Sequence, residues 1–456
     1  MIFSNTSETR LAIWTGAAGL LVGAALAGMV AMAHEPPPSA PTDPIDHHLE
    51  LAPDPAAVRY RHSTTAPGDV TADTASTITA LEDRVRSMAS PFDYAELADL
   101  YLRKAKLDGA PEDYQTAEAM ARRSLDLLPA PNPAVLTLAK LADVRHDFRA
   151  AIELAHRPRK MTAGAQIILA TAHLALGELT LAGEAADAAI AIKPDSAGYL
   201  MRALVLQAEG RDPEAAFGFA NAVHVEEPGD LQGAAHLRAM WGRFLLRRGE
   251  LGGAAMLFDE ALRIVPGFAL AVALRGELAL RGGHPKDAAR LFEQAFATSR
   301  QVRYLIDQAR AQELAGDLAG ADALRTQVET IVRGELGEAG LGHRLDLAEV
   351  LVDRGQAPAL AEAVSLAREE VSRRGSFEAR FQLARALARS GARDEALREI
   401  HAALASGAHE AQLYELAAQL EAQRGNTAAA ALYTHLADHL DPGASGWRTL
   451  GLGQLR

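Results

Sequence analysis

His435 and His439 stand one helical turn apart, with Asp438 and Asp441 beside them. Imidazoles at this spacing share a helix face and can share a metal ion, but a tight or catalytic site needs a third or fourth ligand in place. The opposing expectation puts both histidines on the solvated side of a terminal helix. A second group, His34, Asp46, His47, His48 and His62, falls in a Pro-rich stretch suited to adventitious metal binding at most. No P-loop, no GxGxxG behind a strand, no GxSxG and no HExxH is present. The chain has no Cys, which removes disulfides, thiolate zinc sites, iron–sulfur clusters and thiol catalysis. The expectation is a protein that is not an enzyme and carries no cofactor.

Any site must therefore be a binding surface, and the composition indicates what would build it. The chain has 456 residues, 49% of them apolar but only 5% aromatic. Ala fills the interior, and it is the best helix former and lets helices approach closely. The net charge of −13 argues against a nucleic-acid surface, which needs clustered positive charge. Its 40 Arg against 6 Lys suggest a GC-rich genome.

The stretch "RAMWGRFLLRRGELGGAAMLFDEALRIVP", 238 to 266, carries a pattern that recurs. From Gly242, Ala254 lies 12 residues on, Phe258 16, Ala261 19 and Pro266 24. Small residues at the reference position stand at 98, 139, 170, 203, 242, 276, 309, 348, 384 and 417. Their spacings run from 31 to 41 residues and cluster near 34. Each unit has two apolar-periodic segments separated by a turn such as "RRGEL", "RGGHP", "AGDLA" or "SGARDE". Gly in these turns ends the first helix, and Pro194 and Pro266 stop the second. A single hairpin cannot bury its apolar face, so neighbours must stack.

This pattern resembles the tetratricopeptide repeat family. The match is closest where Trp241, Gly242, Leu245, Ala254, Phe258, Ala261 and Pro266 occupy the family's signature positions. The resemblance implies an all-α, right-handed α-solenoid of about ten helix hairpins over residues 91–441. It also implies a concave groove walled by each unit's first helix, near −6, −3, +1 and +4 from the reference. On that reading the partner-binding groove holds His236, Arg243, Arg303, Arg310, Phe381, Arg385 and Tyr414. Arg recurs at +1, at 243, 310 and 385, and a guanidinium can hold a carboxylate bidentately, so an acidic peptide segment or C-terminus is the expected ligand. The bland alternative is that these Arg residues satisfy neighbouring Glu side chains. The family's Lys/Asn carboxylate clamp is not carried over, because the matching Asn is missing and Lys is scarce.

Ahead of the array, residues 11–33 are 23 uncharged residues, enough to span a bilayer, since about 20 suffice. Residues 1–10 are then cytoplasmic and the rest lies outside, because no basic residue follows the segment until Arg59. The rival is a signal peptide cleaved at about Ala33 after "AMA". Gly19, Gly23 and Ala27 form a small-residue ridge that could pair two such helices into a homo-oligomer. Residues 34–75 are Pro/Thr/Ser/Asp-rich, expected as a disordered stalk. Residues 76–90 are expected as a lead-in helix with Ser76 or Thr77 at its cap. The tail, 442–456, offers Trp447, Leu450 and Leu452 to cap the last hairpin.

The resulting expectation is a bacterial inner-membrane, single-pass adaptor whose repeats lie in the periplasm. It binds proteins without catalysis and supports assembly of an envelope or secreted complex, as anchored repeat proteins it resembles do in envelope assembly, cytochrome maturation or exopolysaccharide export. The alternatives are a self-assembling envelope scaffold and, third, a metal-binding protein.

Overall fold

The computed structural model describes residues 53–62, 70–129, 131–338 and 343–442. Among them are 22 helices and no strand. Twenty of the helices form ten antiparallel hairpins, each an A helix followed by a B helix. Hairpin 1 pairs Pro91–Asp108 with Pro111–Leu127, and hairpin 2 pairs Ala134–Val144 with Phe148–Ala155. Hairpins 3 and 4 are Ala163–Ala175 with Leu179–Ile192 and Ser196–Ala208 with Asp212–His224. Hairpin 5 is Leu231–Leu246 with Leu251–Ile264, and hairpin 6 is Ala269–Arg281 with Pro285–Ser299. Hairpins 7 and 8 are Val302–Leu314 with Leu318–Glu338 and Arg344–Arg354 with Ala357–Arg374. Hairpins 9 and 10 are Phe377–Arg389 with Arg393–Ala405 and Ala411–Gln423 with Thr427–Leu440.

Every reference residue falls in an A helix and is buried. The pairs Ala98/Ala117, Ala203/Ala215 and Ala384/Ala396 are fully buried, because they mark where the helices of one hairpin touch. At Gly242 the contact is closer still: a Cβ there would collide with the Phe258 ring. This is why hairpin 5 carries Gly with Phe sixteen residues on. The repeat is a tetratricopeptide-like α-solenoid.

Eight of the ten A–B turns share one geometry; in hairpins 1 and 8 the Gly109 and Gly355 N–H groups instead donate four residues back, to Ala105 O and Leu351 O. In hairpin 5 the Gly249 N–H donates to Leu246 O and the Glu250 N–H donates to Leu245 O, with Gly249 at φ 78°. This is a Schellman stop, which needs a left-handed residue. Hairpin 2 makes the same two bonds with His146 in place of Gly, at φ 56°.

The array also closes on itself. Hairpins about five or six apart meet where A–B turns of the first half face loops of the second. The Gly109 backbone abuts the Ser299 carbonyl, Gly210 abuts His409, and Gly249 abuts Pro442. The Arg374 guanidinium lies 6.0 Å from the Phe148 ring centre. Two ion pairs cross the same seam. Arg247 donates to Glu410 at 2.9 Å, and Arg281 grips Asp441 with two bonds of 2.7 Å.

Several expectations are corrected. The lead-in helix runs Val70–Ser87, so Ser76 and Thr77 sit inside it and cap nothing; no Pro or Gly interrupts the chain between 70 and 87. Ser90 caps the next helix, accepting from the Asp93 N–H. Part of the expected stalk is ordered. Asp54 caps a short helix, Pro55–Val58, and Val58 and Tyr60 are buried against hairpins 4 and 5. The Val58 carbonyl accepts from the fully buried Arg238 at 2.7 Å, and Glu260 accepts from the Tyr60 N–H at 2.7 Å. Two apolar residues in a Pro-rich stretch are too weak a pattern to reveal such a strap. Among the described residues no helix is long and apolar enough to cross a membrane. The segment 11–33, the ridge Gly19/Gly23/Ala27, His34, Asp46, His47, His48 and the tail residues Trp447, Leu450 and Leu452 lie outside the described residues.

Candidate functional site

The A helices of hairpins 5 to 10 enclose a cavity of about 410 Å³ on the concave side. Arg243, Arg303, Arg310, Phe381 and Arg385 all line it. His236 and Tyr414 do not. His236 is exposed at the start of the helix that carries Arg243. Tyr414 is half-buried beside Tyr433, with its hydroxyl 3.4 Å from His409 Nδ1.

The +1 position organises the wall. From hairpin 5 to hairpin 9 it reads Arg243, Glu277, Arg310, Glu349, Arg385, a ladder of alternating charge. A search for Arg alone finds three rungs and passes over the two carboxylates between them, although the same offset marks both. Stacking brings successive +1 residues side by side, so opposite charges there can pair across hairpins. The first two hairpins show the rule: Lys140 and Asp99, both +1 residues, pair at 2.7 Å.

Hairpins 7 to 9 are zipped by ion pairs. Glu349 is buried and bridges Arg303 at 2.7 Å, Arg310, and Arg385 at 3.6 Å. Asp353 takes Arg385 at 3.0 Å and Arg310 at 3.3 Å, and Gln382 accepts from Arg385 at 2.9 Å. Arg303 also pairs with Asp307 at 2.7 Å. Burial works to raise the Glu349 carboxyl, but the three guanidiniums outweigh it and hold it well below the usual carboxylate range. Each guanidinium here already has its carboxylate, which is the bland alternative for Arg303, Arg310 and Arg385.

Hairpins 5 and 6 are open. Arg243 and Glu277 are neighbouring rungs, yet neither makes an ion pair or side-chain hydrogen bond among the described residues. The Arg243 Nε is sealed from water without an acceptor, as are those of Arg310 and Arg385, but those two guanidiniums have carboxylates on their other nitrogens and Arg243 has none. Burial and the adjacent Arg247 charge push the Arg243 guanidinium down to about 10. Burial raises the Glu277 carboxyl. Glu378 stands nearby on the lining; water reaches it, but the surrounding walls raise its carboxyl as well. Leu270, Leu274 and Phe292 supply an apolar side to the same space.

The His435/His439 group does not come together as a metal site. Both imidazoles and Asp438 are exposed, while Asp441 is buried and committed to Arg281. No group of three or more metal-ligating side chains occurs among the described residues.

No family model matches the chain, and no curated protein matches it. Solved structures similar to it include the human IFIT1 dimer with PPP-AAAA, at 14% identity and a TM-score of 0.44, covering 84% of this chain and 98% of that one. The human IFIT1 dimer with m7Gppp-AAAA is 15% identical with a TM-score of 0.41, covering 80% of this chain and 77% of that one. A monomeric IFIT1 mutant with m7Gppp-AAAA is 16% identical, again at 0.41, covering 80% and 76%. Likeness of this order carries no argument about ligands, and the site rests on its own geometry.

Proposed function

We propose that this chain is a non-catalytic binding scaffold that receives a carboxylate-bearing segment of a partner protein in its axial cavity. The observation behind this reading is Arg243, a cavity-lining guanidinium left without a partner in a wall where every comparable Arg has one. An unpaired charge half withdrawn from water is costly, and an incoming carboxylate would offset that cost. Residues 11–33 tether the scaffold to a bacterial inner membrane with the repeats outside the cytoplasm, where it serves assembly of an envelope or secreted complex. Six carboxylates line or back the cavity, and the chain carries −13 overall, both of which favour a protein ligand over a phosphate backbone.

The test is affinity capture of the full chain from its own membranes, wild type beside Arg243→Glu and Arg243→Lys, with mass spectrometry. A partner held by wild type, retained in part by Lys and lost with Glu supports the scaffold. Identical partners from all three would remove the cavity from the mechanism. Arg310→Glu is a poor probe, because that residue holds the wall together. Protease protection of the repeats in sealed membrane vesicles tests the tether's orientation.

A further inference from the structure

The open interval in the charge ladder has a specific chemistry. Arg243 and Glu277 occupy consecutive rungs, one guanidinium and one carboxyl, neither in an ion pair or side-chain hydrogen bond among the described residues, although Glu277 feels the Arg247 and Arg281 charges at longer range. Leu270 and Leu274, from the helix that carries Glu277, form the apolar side of the same cavity. At about 410 Å³ the space falls in the usual range for small-ligand sites, about 300–1,000 Å³. The electrostatics disfavour a simple anion. Five guanidiniums line the cavity, but four carboxyls line it too, and Asp353 and Glu410 stand directly behind. A polyacidic segment would meet Glu277 and Glu378 as soon as it reached Arg243.

We propose that the interval between Arg243 and Glu277 is a site for a small zwitterion, an amino acid or short peptide with free ends. Its carboxylate pairs with Arg243, its ammonium pairs with Glu277 and Glu378, and its apolar part lies against Leu270 and Leu274. The ligand completes the ladder, giving hairpins 5 and 6 the cross-links that hairpins 7 to 9 make internally. This inference rests on the cavity being the binding site and names a different occupant for it: a short free peptide with one charge of each sign, in place of an acidic segment of a larger partner.

The probe is calorimetric titration of the purified full chain with tri-alanine and tri-leucine. Each is used with free ends, as the C-terminal amide, and as the N-acetyl derivative, beside a twelve-residue polyglutamate with a blocked N-terminus. Binding of the free tripeptides is expected, tri-leucine tighter. Amidation and acetylation should each weaken it about ten- to hundredfold, the worth of one charge-assisted bond. Amidation should cost nothing further in Arg243→Gln, and acetylation nothing further in Glu277→Gln. The ligand-modification arms stand even if a variant folds poorly, which thermal unfolding reports. Equal binding of free and blocked tripeptides, or none, overturns the zwitterion. Arg243-dependent binding of polyglutamate alone also overturns it while leaving the scaffold intact. Loss of both that binding and the Arg243-dependent partner removes the cavity from both.

Discussion

Two stretches of one ladder, built at the same repeat position, do different work. Between Arg310 and Arg385 each +1 residue finds its neighbour, and Glu349 alone ties three guanidiniums from hairpins 7 and 9. Between Arg243 and Glu277 the same alternation is present and the pairing is not. The register cannot explain the difference, since both stretches share it. The surroundings differ: Asp307, Asp353 and Gln382 reinforce the closed stretch, while Arg243 faces a second guanidinium, Arg247, already spent on the seam with Glu410. A repeat protein can thus use one position as structural glue in one unit and as an unfilled site in another.

That contrast can be broken by mutation. Glu349→Ala leaves three guanidiniums short of a shared partner and should lower unfolding stability by about 3–5 kcal/mol, the cost of stranding buried charge. Urea unfolding checks it, and a loss below about 1 kcal/mol would mean the zipped stretch is ornamental. Arg310→Gln removes one arm while Asp353 and Glu349 keep other partners, so a smaller loss of about 1.5–3 kcal/mol is expected in the same assay.

The pH dependence separates the two stretches by sign. Glu349 has its folded pKa depressed, so its stabilisation is present above the ordinary carboxylate value of 4.5 and is lost as pH falls below it. Glu277 has its folded pKa raised, so its contribution is present below 4.5 and is lost as pH rises through the folded value. Glu277→Gln should therefore stabilise the chain near neutral pH and leave it unchanged in acid. Unfolding midpoints measured from pH 4 to 8 would sink this assignment if the variant lost stability at neutrality. The smallest effect belongs to Arg243→Gln. With no partner to lose and an unpaired charge relieved, it should raise stability slightly, by no more than about 1 kcal/mol, and a fall comparable to that of Arg310→Gln would show that Arg243 is structural after all.

Much of this was legible before any coordinates. The offsets from Gly242 to Ala254 and Phe258 are contacts within one hairpin, and such contacts recur in sequence because helix geometry is local. The turn glycines were legible for the same reason, but the unit where His146 takes the left-handed place was not, because only its backbone angle reveals it. Five of the seven residues expected on the groove do line one cavity, three from +1 (Arg243, Arg310, Arg385), one from −6 (Arg303) and one from −3 (Phe381); the offset alone does not decide it, since His236 also stands at −6 and Tyr414 at −3. The pairing state of each Arg was hidden. It depends on which carboxylates neighbouring hairpins bring within reach, and several of those lie far off in the chain. The strap at Val58 and Tyr60 was masked by the prolines around it, and the committed role of Asp441 required Arg281, 160 residues away.

The sequence by itself determined the repeat: ten small-residue contact points, the turns that end each first helix, and the alternation of charge at +1. These follow from helix periodicity and from the conformations that Gly and Pro allow, both of which act over a few residues. Only the tertiary structure decided where the ladder closes, where it stays open and that the solenoid folds back to enclose a cavity. Those outcomes depend on the small rotation between hairpins summed over many units, which brings Arg247 to Glu410 and Arg281 to Asp441 and leaves Arg243 without a partner.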